Sequence, residues 1–307
     1  MVRPTLRQLE YAVAIADHRS FHEAAAACAV SQPGLSVQLR ELESQLGVQL
    51  FERDRRRVLI TRAGEAVVAR ARAILLATEE MVEAARVLSA PLAGDLRLGV
   101  IPTVAPYLLP EVLPAVRKAH PALRVLLRED QTARLLERLE RGDLDLLLLA
   151  LEAPLGEVDT LPLFRDPFVV AMARSDPRAK KKSLSQRDVA AADVLLLEDG
   201  HCLRDQALEV CRQAGASEVG DFRAGSLATL IQMVVGGMGV TLLPSLCLEL
   251  ETRRERGLAV SRLRRPVPYR TIGLAWRRTS PRAEEYHRLA QLLVPKRFVD
   301  DGPGAAA

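Results

Sequence analysis

Two thiols set nine residues apart raise the first question of chemistry. In LLEDGHCLRDQALEVC, residues 196–211, His201 directly precedes Cys202, Arg204 and Asp205 follow it, and Cys211 closes the stretch. A cysteine by itself is most often a small buried hydrophobe. That reading is taken for Cys28, inside an alanine-rich helical stretch, and for Cys247 in LLPSLCLEL. Cys202 differs in its company, because His201 and Arg204 supply positive charge or donors that favour a thiolate, the reactive form of the group. A thiolate attacks the O–O bond of a peroxide to give a sulfenic acid. That acid condenses with a second thiol to a disulfide, which cellular dithiols reduce. In this scheme Cys202 is the peroxidatic thiol and Cys211 the resolving one. A stable sulfenic acid, a mixed disulfide, or Cys247 as resolving thiol stay open as other outcomes.

The element that must position the pair sharpens the question. Leu203, Ala207, Leu208 and Cys211 fall at helical spacing, so LRDQALEVCRQAG reads as a helix. Nine residues then span about 13 Å of rise and roughly two and a half turns, with the sulfurs on opposite sides. A disulfide requires Cα atoms within about 7 Å, so a Cys202–Cys211 bond needs this segment to unwind. The pair therefore reads as a switch rather than a staple. A metal site of Cys202, Cys211 and His201 matches no zinc spacing. VGGMGV, residues 235–240, lacks the strand-before-helix context of a dinucleotide fingerprint and reads as the turn from a helix into the strand GVTLL. No metal and no cofactor is assigned.

The chain as a whole sets limits on this chemistry. Its 307 residues, 49% of them hydrophobic, suffice for two or three domains with cores of their own. No run of about 18 apolar residues exists, and MVRPTLRQLEY carries an acid where a signal peptide needs its apolar segment, so the expectation is a cytoplasmic protein with no membrane contact. Four cysteines are too few for a disulfide scaffold of this length. The net charge of +4 permits a polyanionic partner without requiring one.

The first sixty residues suggest what that partner is. TLRQLEYAVAIADH places Leu6, Leu9, Val13 and Ala16 at amphipathic steps, and Ser20 with Glu23 forms a capping-box pattern at the next helix. In AVSQPGLSVQLRELESQLG, Ser31 can cap, Pro33 suits a first turn, and Leu35, Leu39, Leu42 and Leu46 make an inward stripe. Gln32, Ser36, Gln38 and Arg40 are then expected outward, an amide-rich face suited to a major groove. Polar outer faces occur on any small helical bundle, so periodicity alone does not separate the two readings. LFERDRRRVLITRAGE adds Arg53, Arg55, Arg56 and Arg57 in a polar turn before an apolar run, as in a β-hairpin wing that reaches phosphates.

On these residues the chain resembles the LysR-type transcriptional regulators: AAAACAVSQPGLSVQLRELESQLGVQLFERDRR is similar in order and spacing to their winged helix-turn-helix, and the likeness continues to about residue 297. The resemblance implies groove contacts from Gln32, Pro33 and Ser36, with Arg53 in the wing. Residues 64–89 repeat Val67, Ile74, Met81 and Leu88 every seven positions. A helix lying on its own domain would show this too; the family implies a dimerising linker. Beyond Pro91 and Gly94, apolar strands alternate with helices, which predicts a parallel sheet covered on both faces. A second α/β set runs from about Phe168 to Leu263, after which TIGLAWR returns to the first. The family implies two α/β lobes around a cleft, in the manner of periplasmic binding proteins. The expected organisation is therefore α/β, with a winged helix-turn-helix at 1–63, a linker helix at 64–90, a two-lobed regulatory domain at 91–299 and a disordered tail at 300–307.

Within the family, GHCLRDQALEVC resembles the redox segment of the hydrogen-peroxide-sensing activators; GVIPTVAPYLLP and REDQT resemble their pocket, and YRTIGL the strand carrying a basic residue toward the thiol. The resemblance implies hydroxyl contacts to peroxide from Thr103 and Thr132, positioning or proton transfer by His201 and Asp205, and thiolate stabilisation by Arg204 and Arg270. The partners implied are promoter DNA, hydrogen peroxide and further copies of the chain in a homodimer or homotetramer; RNA polymerase and a cellular dithiol reductant are admitted as others. Two other readings compete: a LysR-type regulator whose cleft binds a metabolite, and a thiol peroxidase.

Overall fold

The computed structural model describes residues 3–53, 58–185, 188–189, 192–214 and 222–301, and of these the side chains of Arg53, Leu88 and Cys211, among others, lie outside the description. Arg55, Arg56 and Arg57 fall outside it entirely. The chain divides into two compact units, residues 1–86 and 87–307.

The first unit is built from α1 (Leu6–His18), α2 (Phe21–Ala27), α3 (Gln32–Leu46), the strands β1 (Phe51–Arg53) and β2 (Val58–Ile60), and α4 (Arg62–Ser89). Its helices start where side chains satisfy their free amides. Ser31 Oγ accepts from Gly34, with Pro33 in the first turn of α3. The reciprocal capping box is made by Thr5 and Gln8 at α1, whereas at α2 Ser20 accepts from the Glu23 amide. Glu43 Oε1 takes the Leu50 and Phe51 amides at 2.8 and 3.3 Å, tying the end of α3 to the antiparallel hairpin in which Phe51 faces Ile60. Ile15, Leu35, Leu39, Leu42, Leu50 and Phe51 fill the core, each burial contributing roughly 1.5–3 kcal/mol. Two expectations shift here. Leu46 is exposed at the end of α3 rather than in its inward stripe, and Cys28 is the half-buried C-cap residue of α2 rather than a helix-interior residue.

The second unit contains β3 (Gly94–Val100), α5 (Ala105–Ala119), β4 (Leu123–Glu129), α6 (Thr132–Glu140), β5 (Leu146–Ala150), β6 (Val158–Ala173), β7 (Ser183–Leu184), α7 (Cys202–Ala214), α8 (Leu227–Val235), β8 (Thr241–Pro244), α9 (Ser245–Arg254), β9 (Leu258–Leu263), β10 (Tyr269–Arg277) and α10 (Ala283–Ala290). Strands run in the order β4-β3-β5-β10-β6-β9-β7, with β8 also on β6. Two separate apolar cores define two lobes. One gathers Val100, Leu108, Leu135, Leu148, Ile272 and Leu274; the other gathers Phe168, Val170, Leu195, Leu230, Leu243 and Cys247. The expected parallel sheet holds for β3 with β4 and β5, but β10 pairs antiparallel with both β5 and β6, and β6 pairs antiparallel with β8 and β9. An all-apolar strand records burial on two faces and not direction, so the sequence could not separate these cases.

The long β6 links the lobes. Its first part lies beside β10, and from Phe168 onward it lies beside β8 and β9. Residues 300 and 301, expected in the tail, close a 3-10 turn, Lys296–Asp301; the rest of that tail lies outside the described residues.

Candidate redox site and nucleic-acid interface

Cys202 is the first residue of α7, so its sulfur sits at a helix N-terminus, where the Leu203 amide favours its thiolate. The rest of α7 anchors in the second lobe through Leu203, Ala207 and Val210, while Cys202, half-buried, packs against the core of the first. Gly200 allows the turn before it. Its φ of +93° is left-handed, and a Cβ there would meet Gln131 Oε1 at 2.7 Å.

In front of the sulfur lies a hollow of about 10 Å³ as swept by the centre of a water-sized molecule. Ile101, Pro102, Thr103, Gln131 and Thr132 line it from the first lobe, Gly200, His201 and Cys202 from the second. Thr103 sits in the turn between β3 and α5; Thr132 begins α6 after the N-cap Gln131. Both threonines and His201 are buried. Thr132 Oγ1 has no hydrogen bond of full geometry among the described residues, yet it lies near enough to the thiol to favour its thiolate.

Behind Thr103 is Arg270, the largest fully buried side chain described. Its Nη1 donates to Thr103 Oγ1 at 2.8 Å and its Nη2 to the Thr103 carbonyl at 3.1 Å. Opposing influences act on the Cys202 thiol. Burial pushes it up from its ordinary value, with a smaller push from Asp205; the Arg270 charge, Thr132 and the Leu203 amide pull down, and burial prevails.

The residues expected at the site thus separate. Thr103, Thr132, His201 and Cys202 converge on one hollow, and Arg270 backs it. Arg204 is buried and donates from Nε to Asp199 Oδ1 at 2.8 Å, and Asp205 is exposed on α7 with a charge that opposes the thiolate. The Cys211 side chain lies outside the described residues. Cys247 is fully buried, its Sγ donating to the Pro244 carbonyl at 3.1 Å, and burial pushes its thiol far up. Gln131, Gly200 and the acid paired with Arg270, Asp166, were not singled out in the sequence. Gly200, two residues before the reactive cysteine, and Gln131, inside the segment REDQT, carried a signal; Asp166 carried none.

On the first unit, Gln32, Pro33 and Arg40 are exposed on α3. Ser36 and Gln38 depart from the outward face expected of them. Ser36 is 7% exposed and its Oγ accepts from Gln32 Nε2, while half-buried Gln38 accepts from Gln8. Both lie close to the leucine stripe on a helix with 3.6 residues per turn, and a small hydroxyl and an amide find partners inside. Val37, at 51% exposure, stands outward instead.

Residues 6–65 match the bacterial regulatory helix-turn-helix family of lysR type, and residues 89–296 match the LysR substrate-binding domain. The chain belongs to the LysR family. A LysR-family protein of this kind is a DNA-binding transcription regulator and not an enzyme. The chain is 45% identical over 306 residues to a probable hydrogen peroxide-inducible genes activator of Streptomyces viridosporus, covering 97% of this chain and 98% of the relative. It is 44% identical over 288 residues to the DNA-binding transcriptional dual regulator OxyR of Escherichia coli K12, covering 94% of each. Among solved structures, a full-length OxyR variant of Pseudomonas aeruginosa superposes with a TM-score of 0.77 at 35% identity over 95% of both chains. An H2O2-bound cysteine mutant of Corynebacterium glutamicum OxyR gives a TM-score of 0.66 at 38% identity, covering 95% of this chain and 92% of that one. No helix among the described residues of this LysR-family regulator is long and apolar enough to cross a membrane.

Proposed function

We propose that this regulator is an OxyR-like, hydrogen-peroxide-responsive activator in which Cys202 is the sensing thiol. One observation carries the reading: the hollow at Cys202 holds the centre of about one water-sized molecule, whereas sites for organic effectors are typically ~300–1,000 Å³. Its lining of two threonine hydroxyls, a histidine and a thiol at a helix N-terminus suits a small oxidant with two donors and two acceptors. The names of the relatives and the solved neighbours point the same way.

The chemistry follows. The Cys202 thiolate attacks one peroxide oxygen and the O–O bond breaks; the departing hydroxide takes a proton and leaves as water, so sulfur becomes a sulfenic acid while peroxide is reduced. Thr103 and Thr132 hold the oxygens, and His201 is placed to return the proton. The Cys211 thiol then displaces water from the sulfenic sulfur to form the disulfide. Cys202 and Cys211 begin on one helix, so the bond requires α7 to unwind. The repacked lobe re-spaces the DNA-reading units of a homodimer or homotetramer on promoter DNA, where RNA polymerase is engaged, and a cytoplasmic dithiol resets the switch. Gln32, Pro33 and Arg40 reach the groove and its phosphates from α3, and Arg53 from the wing.

The test is peptide mapping of the reduced protein after brief stoichiometric hydrogen peroxide, with a footprint on its promoter before and after. Oxidised Cys202 with a changed footprint, both lost in Cys202→Ser while DNA binding persists, is the expected result. Unmodified Cys202 with a constant footprint rejects the reading and leaves a small-molecule effector as the signal.

A further inference from the structure

We infer that Asp166 is a positioning residue for the Cys202 site, fixing the Arg270 guanidinium behind Thr103 and anchoring that arrangement to the first turn of α9. The inference rests on the reading of Cys202 as the sensing thiol. Asp166 on β6 stands directly opposite Arg270 on β10 in the strand register, and both side chains are fully buried. Oδ2 of Asp166 accepts from Arg270 Nε at 3.0 Å and faces Nη2 at 3.0 Å. Oδ1 is committed elsewhere, accepting from the Ser245 hydroxyl and the Leu246 amide, each at 2.9 Å. The residue preceding α9, Pro244, offers no side-chain cap, so Asp166 supplies that function from another strand.

The consequence for the reactive site is geometric. A guanidinium is planar, and here one edge is fixed by a carboxylate and the other by the hydroxyl and carbonyl of Thr103. It cannot turn without breaking bonds on both sides. Thr103 Oγ1 already accepts from Nη1, which leaves its own hydrogen free to be donated into the hollow it lines. Asp166 thus holds both the cation near the thiol and the direction of a hydroxyl donor. Capping α9 needs only Oδ1, and an apolar pair would join β6 to β10 without the desolvation cost of buried charges. The bond from Oδ2 to Arg270 is explained by the site that Arg270 serves. Among the described residues, the charged and titratable groups set around the thiol are Arg270 from β10 and His201 and Asp205 from the segment that carries Cys202.

The sign of a pH shift separates positioning from a plain charge effect. Removing a nearby negative charge with the guanidinium left in place favours the thiolate. Removing the anchor lets the guanidinium move away and disfavours it. The experiment compares full-length wild type, Asp166→Asn, Arg270→Gln and the double variant, following Cys202 by mass spectrometry as its iodoacetamide reaction is measured across pH and its peroxide oxidation at neutral pH. Asp166→Asn is expected to move the alkylation profile to higher pH and slow peroxide oxidation about tenfold. An unmoved profile, or one moved to lower pH, overturns the inference. Asp166→Asn leaves Arg270 buried without its carboxylate, so the variant can fail to fold; the double variant removes both charges. The double variant must match Arg270→Gln in both rates, and a further shift beyond it shows that Asp166 does not act through Arg270. Wild-type Cys202 that is inert to peroxide, with the alkylation profiles behaving as stated, defeats the functional reading and leaves the positioning role standing.

Discussion

The reactivity of Cys202 depends on a contest between burial and a few polar neighbours, and this makes pH the first lever. Because burial prevails, the thiol is pushed up, and a larger share stays protonated at neutral pH than in the unfolded chain. The alkylation rate of Cys202 in the native protein is therefore expected to reach its half-maximum at higher pH than in the same protein denatured. Identical midpoints in both states would remove the contest. The linked stability has a definite sign: the folded state binds this proton more tightly, so stability present below the unfolded thiol's value declines as pH climbs toward the folded one. Gly200 supplies a second handle. An alanine there takes a left-handed φ at a cost of about 1–2 kcal/mol and drives its Cβ against Gln131. Gly200→Ala is expected to lower Tm and slow peroxide oxidation together; a variant as stable as wild type contradicts the strain. Part of this constellation was legible in sequence as types and neighbours, since Cys202 and His201 adjoin, whereas Thr103, Thr132 and Arg270 were implied only by the family resemblance. Asp166 was not legible. It lies 104 residues from Arg270, in a strand whose other members are mostly apolar, and only the register of β6 on β10 joins them.

Element boundaries decide what the oxidised state can be. With Cys202 opening α7 and Cys211 in the same helix, the two Cα atoms are separated by about 13 Å of rise, well beyond a disulfide's reach of about 7 Å. If the peroxide product is the Cys202–Cys211 disulfide, backbone amides within residues 205–211 must lose their helical partners. Hydrogen exchange of the peptide spanning 202–214 is expected to rise by at least about tenfold in the oxidised protein, because a 1.4 kcal/mol loss of protection already gives that factor. A linked pair with unchanged exchange would contradict the helical start point, and an unlinked sulfenic acid with unchanged exchange would identify the stable product. The sequence indicated this helix through its apolar spacing, just as it indicated α3. What it could not resolve at α3 was which polar residues turn inward, since Ser36 and Gln38 obey the same 3.6-residue period as the leucines beside them.

At the scale of the molecule, an unsatisfied feature of the first unit among the described residues is the apolar repeat on α4. Ile74 is 48% and Met81 66% exposed, with Val82 beside them at 64%, while Ala71, one turn after Val67, is buried in the unit's own core. The seven-residue recurrence therefore divides. Its first turns serve the winged helix-turn-helix and its later turns leave a stripe that a second copy of the helix would cover. Burying a side chain of this size contributes roughly 1.5–3 kcal/mol, and a two-fold pairing counts each position twice. Replacing Ile74 and Met81 together by glutamate is thus expected to raise the dimer dissociation constant by at least about a hundredfold, at 1.4 kcal/mol per decade. Sedimentation of wild type and variant at the same concentration reads this directly, and footprinting reads its consequence, because a monomer presents one α3 where paired half-sites require two. Circular dichroism must show that the variant stays folded, as expected for substitutions at exposed positions. A variant that sediments as the wild-type oligomer would move the dimerising surface out of α4 and into the regulatory unit, and peroxide would then act on an interface carried by the lobes that hold Cys202.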